Sequence, residues 1–304
     1  MNLKSLKVFF GIIALGVAVL LGESVASAQV TEIVKDYTNF TTVTVDHNYD
    51  VTIVPSTDYK VVIKVDEPYV DFVQCYVKGS ALVISLAKVP KEVTKLYKGK
   101  DAPKPTFNAV VYTPSFGGAE LADNAVLSAT EVLEADNISL VLAGKSQIKN
   151  LSVQAASVNV NSSKSAMLTL TADADEINLN TAGSSSTKLN FSCDKLNINS
   201  KNSSSISAVG ETYVTNITSE NSSKIVISGE SSNTLNVRGS GSSNVDASAL
   251  ATEEAVVNLS NSSTLSESAK DKLQVELAGN STLLFGGDPV VNIVSIKSST
   301  MQRR

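Results

Sequence analysis

The sequence has no tryptophan, a single histidine (His47) and two cysteines, Cys75 and Cys193. Aromatic residues make up 5% of the chain and charged residues 18%, against roughly 25% charged in an ordinary domain. Each shortage excludes something. Large rings cannot build the core along the whole chain. Histidine acid–base chemistry and a Cys/His zinc site lack their side chains. The net charge of −5 opposes a phosphate backbone, so no nucleic-acid partner is expected. Ser, Thr, Asn and Ala replace the missing charge, and hydrophobic residues at 42% are too many for a disordered chain. The composition reads as a β-rich protein, not an enzyme, with no cofactor.

Lys4 and Lys7 precede an apolar run from Val8 to Leu21, and Ala26-Ser27-Ala28 follows. That is the pattern of a signal peptide over residues 1–28, cleaved before Gln29. The run falls short of the roughly 20 residues of a membrane span, so no span is expected after cleavage. No cysteine lies near the cleavage site to carry a lipid. The expected destination is the periplasm, the cell surface or the medium. A disulfide is permitted there but not required. Cys75 alternates with Val73 and Val77, and Cys193 with Leu189 and Phe191, which favours two separate buried thiols over a bridge.

Residues 29–115 read as an N-terminal β-strand part. Val43 and Val45, Val51 and Ile53, Val61, Ile63 and Val65, and Leu82, Ile84 and Leu86 alternate with period two, each marking one face of a strand. The connections are too short for crossover helices. Residues 88–105 carry six lysines, Lys91, Lys95 and Lys98 among them, with three prolines. They read as an exposed basic loop: a solvated face in the plain reading, a docking site for an acidic glycan or anionic surface in the sharper one.

The strongest signal is a repeat. Serine recurs at 146, 165, 185, 204, 223, 243, 263, 281 and 299, and the residue two places on is apolar except at Thr187. A second column holds Asn159, Asn178, Asn197, Asn216, Asn236, Asn258 and Asn292, mostly between apolar neighbours as in Val158-Asn-Val160. In such triplets the neighbours share one strand face and the asparagine takes the other. Short strands recurring every nineteen residues or so cannot bury a face alone; stacked as parallel rungs they enclose a continuous core. No helical period, calcium-roll motif or six-residue apolar period intervenes. The fold class is therefore all-β: a single-stranded right-handed parallel β-helix over residues 116–304, of about nine to ten rungs at about 4.8 Å each.

On these motifs the chain resembles the autotransporter-adhesin head GIN domain, a family of exported proteins found mainly in Bacteroidetes-type bacteria. Phe40-Thr-Thr-Val-Thr-Val followed by Tyr49-Asp-Val-Thr-Ile-Val is similar to the family's first hairpin. Gly79-Ser-Ala-Leu-Val-Ile and Val110-Val-Tyr-Thr-Pro114 resemble its following strands, and Phe285-Gly-Gly-Asp-Pro289 its closing turn. Leu121–Val126 is less regular than the family pattern, and Lys297–Met301 lacks its glycine. The resemblance implies adhesion and no catalytic set. Fifteen residues follow Pro289, too few for a membrane barrel, so the passenger-like part is what is expected.

Chemistry-bearing clusters are sparse. His47 sits at a turn without a nucleophile pattern. Asp173, Asp175 and Glu176 have the oxygens for a hard cation, although a solvated turn is the plainer reading. Glycosidases need two facing carboxylates, and the rung strands carry almost none. The asparagine column (Asn159, Asn178, Asn197, Asn236 and Asn258 as binding candidates) either pairs its amides along the stack or offers a polar strip to a glycan. The reading is an exported, non-catalytic β-helix in adhesion, surface binding or envelope structure, with a surface or envelope partner that includes glycan among the options, and with an oligomer open. A polysaccharide lyase or hydrolase is the alternative. A third reading, a periplasmic assembly or signalling partner, calls for an exposed sheet edge at an uncapped rod end.

Overall fold

The computed structural model describes residues 29–304 apart from residue 101. The signal peptide expected over residues 1–28 lies outside the described residues. Strand dominates the described chain, which winds into a β-solenoid of about ten turns.

The N-terminal strands are β1 (Val30–Asp36), β2 (Thr42–Val45), β3 (Asp50–Pro55), β4 (Lys60–Asp66), β5 (Val73–Lys78), β6 (Ala81–Leu86) and β7 (Phe107–Thr113). A 3-10 helix (Glu67–Phe72) precedes β5, and a short helix, α1 (Lys91–Lys95), follows β6. The rungs continue through β8 (Gly118–Leu121), β9 (Val126–Ala129), β10 (Leu133–Leu142), β11 (Gln147–Ser162), β12 (Met167–Thr181) and β13 (Ser186–Lys201). Then come β14 (Ser205–Glu220), β15 (Lys224–Ser240), β16 (Asn244–Leu259), β17 (Thr264–Ala278), β18 (Thr282–Gly286), β19 (Val290–Lys297) and β20 (Thr300–Arg303).

From β10 to β17 each strand pairs in parallel with the next, one rung on; Ile177 lies beside Leu196 and Leu179 beside Ile198. The apolar members of the apolar–Asn–apolar triplets, Val158, Val160, Ile177, Leu179, Leu196, Ile198, Leu235 and Val237, are all buried. Burying each branched side chain contributes about 2 kcal/mol. In β12, Ala174 and Ile177 are both buried although three residues apart, so the alternation resets at Asp175, where one face gives way to the next.

Residue 115 is not a break in the pairing. β2 lies between β6 and β8, and β3 between β7 and β9, all in parallel. The rung formed by β2 and β3 is thus sandwiched between a later rung (β6, β7) and a still later one (β8, β9). β2 and β3 do not pair with each other, so the expected first hairpin is instead two consecutive strands of one rung joined at a corner. Antiparallel pairing is confined to the outer end, where β5 covers β6, β4 covers β7 and β1 covers β4. The few aromatics gather there. Tyr69 packs on Phe107 at 4.8 Å and on Tyr97 at 5.2 Å, and Tyr49 meets Phe107 at 5.5 Å. They close the core at the N-terminal end.

The basic loop expected at 88–105 contains α1. Glu92 in its first turn and Lys95 in its last suit the helix dipole. Val93 and Tyr97 pack onto the core while Lys91, Lys95 and Lys98 stay exposed.

The serine column is real but is displaced at one rung. The strand register sets Ser146 beside Ala166, and Ala166 beside Ser185; Ser165 is exposed and Ala166 buried. The buried corner column is therefore Ser146, Ala166, Ser185, Ser204, Ser223, Ser243, Ser263 and Ser281. Each follows a tight corner in which φ is positive, at two successive residues in Asn202-Ser203, Asn221-Ser222, Gly241-Ser242, Asn261-Ser262 and Gly279-Asn280. Such corners favour glycine and asparagine. At two rungs the inward hydroxyl closes the corner, Ser204 Oγ donating to the Lys201 carbonyl at 3.0 Å and Ser263 Oγ to that of Ser260 at 2.9 Å, whereas those of Ser146, Ser185 and Ser243 are buried without a partner. In the middle of the rod a second buried column of small residues, Ser162, Thr181, Ser200, Ser219 and Gly239, occupies positions held by Leu142 on one side and Leu259 on the other. Two of its hydroxyls bond across the corner, Ser200 to Ser204 at 2.7 Å and Ser219 to Ser223 at 2.8 Å, Thr181 bonds along the stack to Ser200 at 3.1 Å, and Ser162 Oγ has no partner.

Candidate functional site

The outward face of the triplets carries an amide ladder. Asn178 Nδ2 donates to Asn159 Oδ1 at 3.1 Å, Asn197 to Asn178 at 2.8 Å, Asn216 to Asn197 at 2.8 Å and Asn236 to Asn216 at 2.9 Å. Asn178 and Asn216 each use one N–H and one oxygen lone pair on the ladder and keep one of each for a ligand, whereas Asn197 spends its second N–H on Glu176 and keeps only a lone pair. The ladder ends at Asn236. Its next neighbours are Val256, Gln274 and Asn292, so Asn258 does not belong to this column, contrary to the expectation from spacing. Asn258 lies beside Arg238 and Glu276 in the adjacent outward column, and its Nδ2 donates to Glu276 Oε2 at 3.0 Å. The rungs here are of unequal length, and equal spacing of asparagines does not fix register.

Around the ladder's lower half runs an open groove of about 440 Å³, lined by Asn197, Asn216, Asn236 and Asn258 with Lys195, Arg238 and Glu276. Glu176 borders the ladder higher up, accepting from Lys195 Nζ at 3.0 Å and from Asn197 Nδ2 at 2.7 Å. The strip thus offers amides with charges of both signs, in the manner of a surface that reads hydroxyl groups through many hydrogen bonds.

A larger concavity, about 1040 Å³, follows the edge where the two faces meet, and carries Glu134, Asp136, Asp173, Asp175, Asp194 and Glu211 beside Tyr213. It takes in two members of the acidic trio, Asp173 and Asp175, while Glu176 is turned onto the amide strip. Among the described residues no three His, Cys, Asp or Glu side chains come together as metal ligands would. Lys91, Lys95 and Lys98 lie at the far N-terminal end, on neither groove. His47 occupies a corner with φ of 60° and is paired with Asp46. Cys75 and Cys193 are both free. Burial pushes the Cys193 thiol up to about 11, and raises Cys75 too, so neither is a ready nucleophile.

Glu267 is absent from the candidates that the sequence suggests. It lies between Leu265 and Ala269, all three pointing inward, and no part of it is exposed. Neither carboxylate oxygen has a hydrogen-bond partner, and burial pushes its pKa up to about 7 against the weaker pull of Arg304. The alternation Leu265-x-Glu267-x-Ala269 is the signal that could have found it.

The family described as "Putative auto-transporter adhesin, head GIN domain" matches residues 39–191 and 186–289. The chain belongs to that family. Solved structures align with nearly the whole chain. A putative adhesin from Parabacteroides merdae is 15% identical, with 91% of this chain and 96% of that one covered at a TM-score of 0.50. A putative adhesin from Parabacteroides distasonis is 16% identical, covering 91% and 98% at 0.49. A putative lipid binding protein from Parabacteroides distasonis is 14% identical, covering 90% and 96% at 0.47. No curated protein matches. Membership of the GIN-domain family agrees with a non-enzymatic surface protein, and no helix among the described residues is long and apolar enough to cross a membrane.

Proposed function

We propose that this protein is exported and works at the cell envelope as a non-catalytic binding rod, engaging a glycan-bearing surface through the amide strip. The observation that supports this is the Asn159–Asn236 ladder with the groove beside it: fixed, regularly spaced donors and acceptors on a rigid sheet, open along their length. Contacts of this kind are individually weak and gain strength by repetition along the rod. The lysines of α1 and its flanks add an attraction to anionic surfaces that falls as salt rises.

The test is a glycan array and a whole-cell adhesion assay on residues 29–304, with the doubly substituted Asn197→Ala/Asn216→Ala protein alongside. The expected result is binding to a restricted set of neutral or weakly acidic glycans that the double substitution weakens several-fold. Unchanged binding by the variant would remove the strip from the site. Turnover of any polysaccharide that one point substitution abolishes would replace adhesion with catalysis.

A further inference from the structure

The two ends of the rod are built differently. At the N-terminal end, Tyr69, Tyr97 and Phe107 cover the core. At the other end, β19 pairs only with β17, and β20 only with β18; among the described residues nothing lies on their far edges. The inward residues of this last rung are open to solvent. Val291, Ile293 and Ile296 are 37%, 55% and 38% exposed, whereas Leu273, Val275 and Leu277, the residues they stack on, are fully buried. Val290 and Val294 add 76% and 57% exposure beside them. An unprotected edge of this length, next to an open apolar core, is what soluble proteins ordinarily blunt.

We propose that this end docks a second copy of the same chain, β19 antiparallel to β19 about a two-fold axis between Ile293 and Val294. The argument is the strand's own pattern. The ladder with β17 is interrupted after Ile293, so that Val294 is an extra residue: Val275 lies beside Ile293, but Glu276 lies beside Ser295 and Leu277 beside Ile296. Side chains therefore point inward at 291 and 293, and inward again at 296. An antiparallel pair centred on the bulge sets Val291 against Ile296, Asn292 against Ser295 and Val290 against Lys297. Inward meets inward, and outward meets outward, on both sides of the axis. A centre on Ile293 itself would set inward Val291 against outward Ser295. The bulge that disrupts the ladder within one chain makes the edge complementary to itself, and a two-fold contact of this kind closes on two copies. The ring-covered N-terminal end has no open core to offer, which disfavours head-to-tail stacking.

The test is the solution mass of residues 29–304 by light scattering, together with Val294→Lys, whose extra charge sits at the axis, and the paired substitution Val291→Cys/Ile296→Cys. The expected result is twice the mass of one chain for the parent and a single-chain mass for Val294→Lys, with an unchanged far-ultraviolet spectrum. The cysteine pair should form a reducible cross-linked dimer, and Val291→Cys/Ser295→Cys should not. A parent protein that stays a single chain at high concentration overturns the proposal. So does an open-ended mass series, which would mean head-to-tail stacking, or cross-linking that favours the 291/295 pair.

Discussion

At the scale of single residues, Glu267 is the group whose chemistry and surroundings disagree most. An ordinary glutamate titrates near 4.5, whereas burial holds this one at about 7 in the folded chain. Between those values the folded protein keeps a proton that the unfolded chain has released, so stability falls as pH rises through the window. The loss is complete above pH 7 and amounts to about 3 kcal/mol, because each pH unit between the two values is worth about 1.4 kcal/mol. Glu267→Gln should flatten this limb. Thermal melts from pH 4.5 to 8.5 should show the variant near the parent at the acid end and clearly more stable at the alkaline end. A parallel fall in both proteins would place the pH dependence elsewhere. Charge at this position is readable from alternation alone; its lack of a hydrogen-bond partner is not, because that depends on which side chains of two neighbouring rungs happen to reach it.

At the scale of the strand, inward and outward positions differ in what a substitution costs. Ile225 is fully buried between Ile206 and Val245. Ile225→Asp would place a carboxylate there without a partner, at a cost of several kcal/mol. Asn197→Ala, on the outer face, would remove ladder bonds to Asn178 and Asn216, at about 1 kcal/mol for each bond lost. Chemical denaturation should separate the two variants widely, and equal midpoints would mean that the inward and outward faces are wrongly assigned. The sequence carries this distinction well. Every apolar triplet neighbour from Val158 to Leu259 is in the core, because period two admits only two faces; Val291 and Ile293 point the same way but are open, since among the described residues no rung covers them. Register is less legible. The serine column slips from 165 to Ala166, and the asparagine column loses Asn258 to its neighbour, because rungs of 18 to 21 residues absorb their extra length at corners where composition is the same as in the strands. The N-terminal third looks like a hairpin in sequence for a different reason. Parallel partners there come from segments far downstream, as Val51 beside Leu127, and local pattern says nothing of such partners.

For the molecule as a whole, the rung made by β2 and β3 has a consequence in time as well as in space. Both of its edges are taken by strands that follow it in the chain, one pair ending at Thr113 and the other at Ala129. Winding one turn upon the last from the first residue onward is therefore impossible for the first rungs. They must wait, incurring a loop-closure cost over 39 residues from Thr42 to Ala81 before the first parallel contact, and over 76 from Thr42 to Gly118 before the second edge is covered. Later rungs, each touching only its predecessor, can then add one at a time. Chains truncated after residue 115 should lack cooperative unfolding by circular dichroism, whereas chains truncated after residue 201, with several complete rungs above the sandwich, should melt as folded proteins. A cooperative melt from the shorter chain would show that β8 and β9 are dispensable to the start. A chain that leaves a ribosome or a membrane channel amino end first would thus pass its amino-terminal third without a structure to jam in the passage, and would set into a rod only once that seed had cleared the exit.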